Sequence, residues 1–380
     1  MKIAFVSNYI NHHQLPFCDA MHQLLGNDFI FLQTEEMEEE RLRMGWDIDG
    51  EKRSYVRMLW KEESVLRLIK ECDILLTGWY DNEKVSEMVL RRVKQNKPTF
   101  RISERIYRSG RWKAISPRGL VHKYKEHTRF HQNKYYLLCA GAYVAGDFNL
   151  IHAYPDKKFK WGYFPSFIEY GEELWQKKRE KAVIHICWAG RFMPLKHPDY
   201  MIRLAKDLRD AGYHFHLDMI GSGNQMDALK KMTADLCIEE WITFHGFKAH
   251  KEVRKMMEES HIFVFTSDYR EGWGAVMNEA MNSGCALVAS AEAGGSGYLI
   301  EDGKNGFVYH RNQYKKMRKL VINLMENPGL RDQVGRNAYQ TIFKLWNAKR
   351  AANELIRVCR DVLQGKDIVP AAKGPLSATK

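Results

Sequence analysis

The stretch HIFVFTSDYREGWGAVMNEAMNSGCALVAS, residues 261–290, contains the alternation that decides the fold. An apolar run, IFVF, precedes a loop with two glycines, and a second apolar run, CALVA, closes the stretch after a segment of helical length. Short apolar runs are typical of buried strands, and parallel strands need a helix between them. The stretch therefore predicts a strand–helix–strand unit with its helix over Ala275–Ser283.

The same alternation runs through most of the 380 residues. Strand-like runs follow one another in both halves of the chain: KIAFVS, DFIFLQ, CDILLTG, KPTFRIS and YYLLCAG, then VIHICWAG, HFHLDMIG, ITFHGF, IFVFTS, CALVAS and GFVYH. Amphipathic segments separate many of these runs, which favours parallel sheets covered by helices on both faces. Two such series predict an α/β fold with two Rossmann-like, doubly wound domains facing each other across a cleft.

The break between the two series lies near Trp161–Lys181, where a proline and several aromatics precede a charged run. Helical spacing returns near the end of the chain and predicts a last helix, with packing back on the first domain as one option. The final stretch is rich in Pro, Ala and Lys, a composition typical of disorder. The predicted segments are a first domain over 1–165, a linker over 166–181, a second domain over 182–345, a helix over 346–365 and a disordered tail over 366–380.

The overall composition is that of a water-soluble globular protein. Hydrophobic residues make up 45% and charged residues 28% of the chain. The start, MKIAFVSNYI, predicts a strand rather than a signal peptide, and the apolar runs are shorter than the roughly 20 residues that span a bilayer. Seven widely spaced cysteines without a CxxC pair indicate a reducing compartment, so we expect a cytoplasmic protein with cysteines in its core.

Positive charge is concentrated between Arg105 and Lys134. This stretch has nine Lys or Arg residues and one acid, Glu126, within a chain of net charge +12, and aromatic residues are interspersed. Such a stretch suits an anionic partner, which includes a lipid surface, a nucleic acid or a phosphorylated substrate. An ordinary solvated loop and helix face is an equally open interpretation.

Two turns of the second half follow strands and precede helices, the position where open α/β sheets bind ligands. Arg191 and Lys196 come after strand ICWA and could clamp a diphosphate, although loop cations in solvent are the alternative. Gly221 and Gly223 form a GxG turn, which is weak evidence for a phosphate site because a tight turn also needs glycine. Phe247 ends the FHGF turn, which could lie beside a base.

The third turn is REGWG. Glu271 precedes the predicted helix and Glu279 lies about one turn into it. A carboxylate can accept hydrogen bonds from two neighbouring hydroxyls, as on ribose, and Gly272 and Gly274 allow the backbone to approach a ligand. The alternative is a capping glutamate and a surface glutamate.

As an ordered set, these motifs resemble retaining glycosyltransferases of the two-Rossmann GT-B architecture, family 4. The resemblance covers about Val183–Leu363. EGWGAVMNEAMNSG resembles the E-x7-E signature of that family, and AGRFMPLKHPD resembles its GR-x4-K diphosphate loop. Further resemblances, in chain order, are IGSGNQMDALKKM, ITFHGF, AEAGGSGYLIEDGKNGFVY and FKLWNAKRAANEL.

The resemblance implies a nucleoside-diphosphate sugar as donor and assigns the residues that hold it. It implies that Arg191 and Lys196 stabilise the diphosphate leaving group, that Glu279 binds ribose and that Glu271 holds the transferred sugar. Trp273 stands where the family more often has Phe. The donor-binding residues implied are Gly190, Arg191, Lys196, Gly221, Gly223, Phe247, Glu271, Gly272, Trp273, Gly274, Ala275 and Glu279.

The first domain departs from the family pattern. Many members have a Gly-Gly turn after the first strand, where this chain has Asn11, His12 and His13. Ser103 and Glu104 stand about where the family has a histidine. These five residues are the acceptor-side candidates, and His13 is a further catalytic candidate. Contact of the histidines with donor phosphate, with acceptor or with solvent remains open.

We expect no metal or other cofactor. Arg191 and Lys196 would supply the positive charge that a metal ion supplies in other glycosyltransferases. The DxD sequence Asp47–Asp49 belongs to a different glycosyltransferase architecture, and we interpret it as a loop. His214 and His216 have no nearby Cys or His at zinc-binding spacing.

The sequence thus predicts a metal-independent hexosyltransferase, with UDP favoured over GDP in its donor, and the resemblance implies that the transfer is retaining. Its acceptor would be a glycan or lipid-linked glycan of cell-surface polysaccharide or lipopolysaccharide assembly. The protein would be cytoplasmic, with peripheral attachment to an anionic membrane as an option and no nucleic acid partner. The alternatives are a non-catalytic anion- or nucleic-acid-binding protein on the same fold, and a GT-B-fold sugar epimerase or phosphorylase.

Overall fold

The computed structural model describes residues 1–39, 52–108 and 110–379. Within these residues the chain forms two compact units: residues 1–166 together with 346–379, and residues 167–345. Each unit has a sheet in which every pair of neighbouring strands is parallel. The prediction of two α/β domains with parallel sheets is confirmed.

The sheet of the first unit has seven strands in the described residues. They are β1 (Ile3–Ser7), β2 (Phe29–Gln33), β3 (Val56–Met58), β4 (Ile74–Thr77), β5 (Thr99–Ser103), β6 (Tyr135–Ala140) and β7 (Lys158–Trp161). Their order is β3-β2-β1-β4-β5-β6-β7, so the direction of winding reverses between β1 and β4. The carboxyl ends beside this reversal are where doubly wound sheets bind ligands.

Helices cover this sheet: α1 (Leu15–Leu25), α2 (Arg67–Glu71), α3 (Glu83–Lys94), α4 (Pro117–Glu126) and α5 (Val144–Asn149). All five residues of β1 are buried, as expected for a strand covered on both faces. The side chain of Asn82 accepts a hydrogen bond from the Val85 amide at 3.0 Å and caps α3.

The sheet of the second unit has six strands in the described part of the chain. They are β8 (Ile184–Ala189), β9 (Phe215–Ile220), β10 (Ile242–Gly246), β11 (Ile262–Phe265), β12 (Ala286–Ser290) and β13 (Phe307–Tyr309). Their order is β10-β9-β8-β11-β12-β13, with the reversal between β8 and β11.

The helices of this unit follow the same alternation. They are α6 (Glu173–Glu180), α7 (Asp199–Asp210), α8 (Met226–Asp235), α9 (His250–Glu259), α10 (Val276–Asn282), α11 (Ser296–Leu299), α12 (Tyr314–Glu326) and α13 (Pro328–Lys344). The apolar face of α7 presents Met201, Leu204 and Leu208 to a core that includes Leu217 and Val264 of the sheet. This packing fixes the turns that leave the carboxyl ends of β8 and β11.

Two segment predictions differ from the structure. The predicted linker 166–181 contains α6, whose Trp175 packs on Tyr339 with ring centroids 5.4 Å apart. The charged run predicts a linker because polar residues outnumber its two apolar ones, Leu174 and Trp175, which are buried together with Lys178. This helix belongs to the second unit.

The tail was predicted to be disordered, but the described residues after 365 pack on the first unit. Leu376 is buried, and its amide donates a hydrogen bond to the Lys160 carbonyl at 2.8 Å. Ala378 forms an antiparallel bridge with Phe159. In these contacts the tail pairs with the free edge of β7. The composition of the tail cannot predict this, because the partner lies elsewhere in the chain.

The last helix, α14 (Ala348–Leu363), packs against α1 within the first unit. Six of the seven cysteines are buried, while Cys237 is exposed, contrary to the expectation for all seven. Among the described helices, none combines the length and apolar character needed to cross a membrane.

Candidate active site

Backbone hydrogen bonds join the turns after β8, β9 and β10 side by side. The Gly190 amide donates to the Ile220 carbonyl at 3.0 Å, and the Phe192 amide donates to the Ser222 carbonyl at 2.9 Å. The Gly221 amide donates in turn to the Gly246 carbonyl at 2.9 Å. The turns that carry the predicted donor residues therefore form one edge of the second unit.

The glycine at 221 is required by this close approach. Its φ is +130°, and a Cβ there would lie 2.0 Å from the Gly190 carbonyl oxygen. Gly223 faces the Phe192 backbone in the same manner. The contact between neighbouring turns accounts for the GxG pattern by itself. Phe247 is exposed just beyond this pair of turns.

Lys196 is held in place by the strand that carries the glutamate turn. The Thr266 hydroxyl donates to the Lys196 carbonyl, and the Asp268 amide donates to the Leu195 carbonyl at 2.8 Å. The Trp188 indole N–H fixes Thr266 with a 2.8 Å bond. These bonds place the cation-bearing loop next to the end of β11. Arg191, in the same loop, is exposed.

The Lys196 ammonium and the Glu271 carboxylate form an ion pair between Nζ and Oε2. Both side chains are largely buried. The two residues were predicted to contact opposite ends of one ligand, the leaving group and the sugar, and the structure brings them together directly. A ligand that carries a phosphate and hydroxyl groups could take the place of both partners. Its phosphate would bind the Lys196 ammonium, and its hydroxyl groups would donate hydrogen bonds to the Glu271 carboxylate.

Asp268 organises the glutamate turn, although no sequence motif singles it out. Its buried carboxylate accepts hydrogen bonds from the Arg270 amide at 2.9 Å and from Nη2 of Arg270 at 2.7 Å. Burial raises the pKa of Asp268, but the hydrogen bonds and charge of Arg270 outweigh it and hold the pKa below its usual value. The sequence signal was an acid within SDYREG, two residues before an arginine.

Trp273 points away from the ligand edge. Its side chain is buried, and its indole N–H donates to Oδ1 of Asn278 at 2.8 Å. Any contribution of Trp273 to ligand binding must therefore come from its backbone. The neighbouring Gly274 has φ +86°, and a Cβ there would lie 2.6 Å from Cζ of Phe265. Gly272 is buried beside Trp273, and Ala275 is the N-cap of α10.

Glu279 is buried in α10 and contacts His250, which is not among the predicted site residues. Nε2 of His250 lies 2.8 Å from Oε1 of Glu279. His250 is the first residue of α9, the helix that follows β10. Its sequence signal is its position, a polar residue at the start of the helix that follows strand β10.

Tyr163 links acceptor-side candidates in the first unit. Its ring lies 5.9 Å from that of His13, and its hydroxyl donates to Oε1 of Glu104 at 2.7 Å. Asn11 shapes the preceding turn, because its Oδ1 accepts the His13 amide at 3.0 Å. The residues after β1 and β5 thus come together.

Two other predicted candidates remain nearby. The rings of His12 and His13 are 3.8 Å apart, and the Ser103 hydroxyl donates to the Glu104 carbonyl at 2.9 Å. Trp79, which the sequence analysis did not select, is exposed at the end of β4, and its carbonyl accepts the Asn8 amide at 2.6 Å.

The basic stretch 105–134 is not one continuous surface. Arg105 is mostly buried and pairs with the buried Asp147 at 3.0 Å, while Tyr107 and Phe130 belong to the core. Only part of the basic stretch is therefore accessible to the anionic partner that was predicted for it.

Metal-binding candidates give no site in the described residues. Asp47–Asp49 lie outside them. His216 hydrogen-bonds Thr243 at 2.9 Å, and within the described chain no group of three or more His, Cys, Asp or Glu could hold a metal ion.

Comparison with known proteins supports the fold and the resemblance of residues 171–341 to glycosyltransferases. Residues 171–341 match the family model for "Glycosyl transferases group 1". The crystal structure of Anabaena HepE in complex with UDP and glucose aligns with 96% of this chain and 100% of its own, with a TM-score of 0.67 and 15% identity. The GT-B type of fold is thereby confirmed, and so is the resemblance of residues 171–341 to glycosyltransferases.

Curated relatives match about half of the chain. An uncharacterized glycosyltransferase of Methanocaldococcus jannaschii is 28% identical over 189 residues, which are 50% of this chain and 48% of that protein. A poly(ribitol-phosphate) alpha-N-acetylglucosaminyltransferase of Staphylococcus aureus is 30% identical over 172 residues, 45% of this chain and 33% of that protein. The chain thus spans half or less of the length of these relatives.

Proposed function

We propose that the protein is a retaining glycosyltransferase of the family 4 type. It would transfer a sugar from a nucleoside-diphosphate sugar to a hydroxyl group of a glycan or a lipid-linked glycan. The observation that carries this proposal is the Lys196–Glu271 ion pair at the ligand edge of the second unit, next to the helix that holds Glu279. A cation for phosphate and carboxylates for hydroxyls are the groups that such a donor requires.

In the proposed reaction the bond between sugar C1 and the diphosphate oxygen breaks. A bond from C1 to the acceptor oxygen forms on the same face, and the acceptor proton passes to the departing phosphate. Lys196 and Arg191 would stabilise the charge that develops on the diphosphate, which is the largest electrostatic demand of the step. Glu271 would hold the transferred sugar and Glu279 the ribose.

We propose that these two cations make an added metal ion unnecessary. For the nucleotide, UDP is favoured because HepE, which shares the fold, was solved with UDP and glucose. We propose a polymer or lipid-linked acceptor of cell-surface assembly, and a polymer is the kind of acceptor that the poly(ribitol-phosphate) alpha-N-acetylglucosaminyltransferase of Staphylococcus aureus uses. His13, Tyr163 and Glu104 are the side chains that we assign to the acceptor side.

A panel of UDP- and GDP-sugars, screened in EDTA, tests the proposal. We expect one UDP-sugar, at a hundredfold excess over its Kd, to increase the free energy of unfolding by about 2.7 kcal/mol and so to raise the melting temperature. The same UDP-sugar should be hydrolysed slowly, with release of UDP. The anomeric configuration of the transferred sugar, read by NMR, should equal that of the donor. If no nucleotide sugar raises the melting temperature, the result would favour the non-catalytic alternative.

A further inference from the structure

The helix α4 carries its apolar side chains on the outside. None of its ten residues is buried, and Leu120, Val121 and Tyr124 are 40%, 54% and 56% exposed. Tyr124 is three residues after Val121 and four after Leu120, so the three side chains lie on one face of the helix. A surface helix normally turns such a face toward the core.

The opposite face of α4 is polar and faces inward. Gly119, Lys123 and Glu126, also spaced three and four residues apart, are the less exposed positions. Burial lowers the pKa of Lys123, and Nζ of Lys123 lies 3.9 Å from Glu126. The polarity of α4 is thus inverted relative to an ordinary surface helix.

The short 3-10 helix Arg111–Ile115 extends the exposed apolar face. Trp112 is 68% and Ile115 is 80% exposed. Together with α4, this gives five exposed large apolar side chains within residues 112–124, which we call the exposed segment. Exposed apolar residues grouped in this way mark a surface that contacts another apolar phase.

The exposed segment is also cationic. Lys113, Arg118 and Lys125 are exposed within or beside it, and Nζ of Lys113 lies 5.7 Å from the centre of the Trp112 ring. The nearby acid, Glu126, is 3.2 Å from Nε2 of His122. The surface therefore combines an apolar face with positive charge. It is complementary to a partner that has both an apolar region and negatively charged groups.

We propose that the exposed segment inserts into the interface of an anionic lipid bilayer. Trp112 and Tyr124 suit the headgroup level, Ile115, Leu120 and Val121 reach the acyl boundary, and the cations meet anionic headgroups. A nucleic acid would use the cations but would leave the aliphatic side chains exposed to water. Bilayer attachment would bring the protein to the lipid-linked acceptor, and this role rests on the proposed function. The attachment itself does not depend on catalysis.

Flotation with vesicles tests the insertion in the absence of nucleotide. The wild-type chain should float with phosphatidylcholine vesicles that contain phosphatidylglycerol, and much less with phosphatidylcholine alone. W112S/I115S should lower the partition coefficient at least roughly tenfold, because each side chain loses its burial in lipid. The matched control is L150S/V369S, which removes two exposed apolar side chains elsewhere in the first unit.

A second pair of variants tests the contribution of the exposed segment's positive charge to vesicle binding. R118E/K125E should weaken binding to anionic vesicles roughly tenfold or more, and added salt should narrow the difference. K315E/K319E, on α12, changes the net charge equally and should leave vesicle binding within about twofold of wild type. UDP-sugar turnover in solution should be unchanged in all four variants, which separates this inference from the proposed function.

Three results would overturn the proposal. One is a wild-type chain that stays unbound with anionic vesicles at low salt. Another is an equal loss of binding in the L150S/V369S control. The third is a dimer in sedimentation velocity that W112S/I115S dissociates, since the exposed segment would then join two copies of the chain.

Discussion

Nε2 of His250 lies 2.8 Å from Oε1 of Glu279, although the two residues are 29 positions apart. The first turn of α9 therefore reaches a carboxylate buried in α10. This bond engages one carboxylate oxygen, and the other can accept a hydrogen bond from a hydroxyl group of a ligand. His250 is thus placed to orient the residue that we assign to ribose.

Replacing His250 with Ala should raise the KM for the donor about five- to tenfold and leave kcat nearly unchanged. A typical hydrogen bond contributes about 1 to 1.5 kcal/mol. The ribose contacts of Glu279 are the same in the ground state and the transition state, so their weakening changes KM rather than kcat. Steady-state kinetics with the identified UDP-sugar measures both constants. His250→Gln should restore part of the loss, and Lys251→Ala, one residue later, is the control. A fall in kcat with KM unchanged would contradict this role.

Loss of either member of the Lys196–Glu271 pair should lower kcat/KM about a hundredfold or more. A preorganised charge at a leaving group or reacting sugar is worth this much in a water-poor site. The variants are Lys196→Ala and Glu271→Gln, assayed for sugar transfer. Lys304→Ala breaks the exposed pair with Glu301 in the same unit and should have no effect on transfer. Near wild-type transfer in both site variants would refute the assignment.

The substitution Gly274→Ala should destabilise the second unit more than Gly303→Ala. Both glycines have positive φ, +86° and +77°, so both substitutions cost roughly 1 to 2 kcal/mol in the backbone. Only at 274 does the new Cβ meet a side chain, 2.6 Å from Phe265, which adds roughly 1 to 3 kcal/mol. Thermal unfolding followed by fluorescence compares the two variants. Equal melting temperatures would show that Phe265 moves aside freely.

Stability should fall as the pH drops from about 6.5 to 4, and His261 should account for part of the fall. Burial, the main cause, lowers the pKa of His261 from 6.5 to about 4. Its Nδ1 accepts the His185 amide at 3.0 Å, while Nε2 donates to the Lys178 carbonyl at 2.7 Å, an arrangement of the neutral ring. Between these two pH values the unfolded chain binds more protons, so the loss reaches about 3 kcal/mol.

His261→Gln should therefore lower the melting temperature at pH 7 but flatten its dependence on pH below 6.5. Melting curves from pH 7 to 4 give the comparison, and His310→Gln, at an exposed histidine, is the control. An unchanged pH slope in His261→Gln would rule out this contribution.

The donor side of the candidate site could be predicted because its signal is local. Arg191, Lys196, Glu271 and Glu279 stand at fixed distances from the ends of predicted strands, and parallel strands bring such ends to one edge. His250 and Asp268 could not be predicted, because their roles follow from their contacts with Glu279 and Arg270, which only the structure shows. A histidine at a helix start has no distinguishing pattern until Glu279 is seen beside it.

The acceptor side could be predicted less well. Asn11, His13 and Glu104 were selected by position alone, and Tyr163, which joins two of them, lies on a segment that was assigned to the end of the domain. In the basic stretch, charge counts could not separate Arg105, paired with Asp147, from the exposed segment. Burial divides these residues, and burial depends on contacts far along the chain.

The sequence by itself determined the two α/β domains, because the lengths and spacing of apolar runs fix strands and helices locally and parallel strands require the helices between them. The tertiary structure alone decided which charges meet. Lys196 and Glu271, 75 residues apart, pair because β8 and β11 are neighbours in the sheet. It also turned the Trp273 side chain into the core and the apolar face of α4 outward. Both orientations follow from the space left by neighbouring elements, which no local pattern encodes.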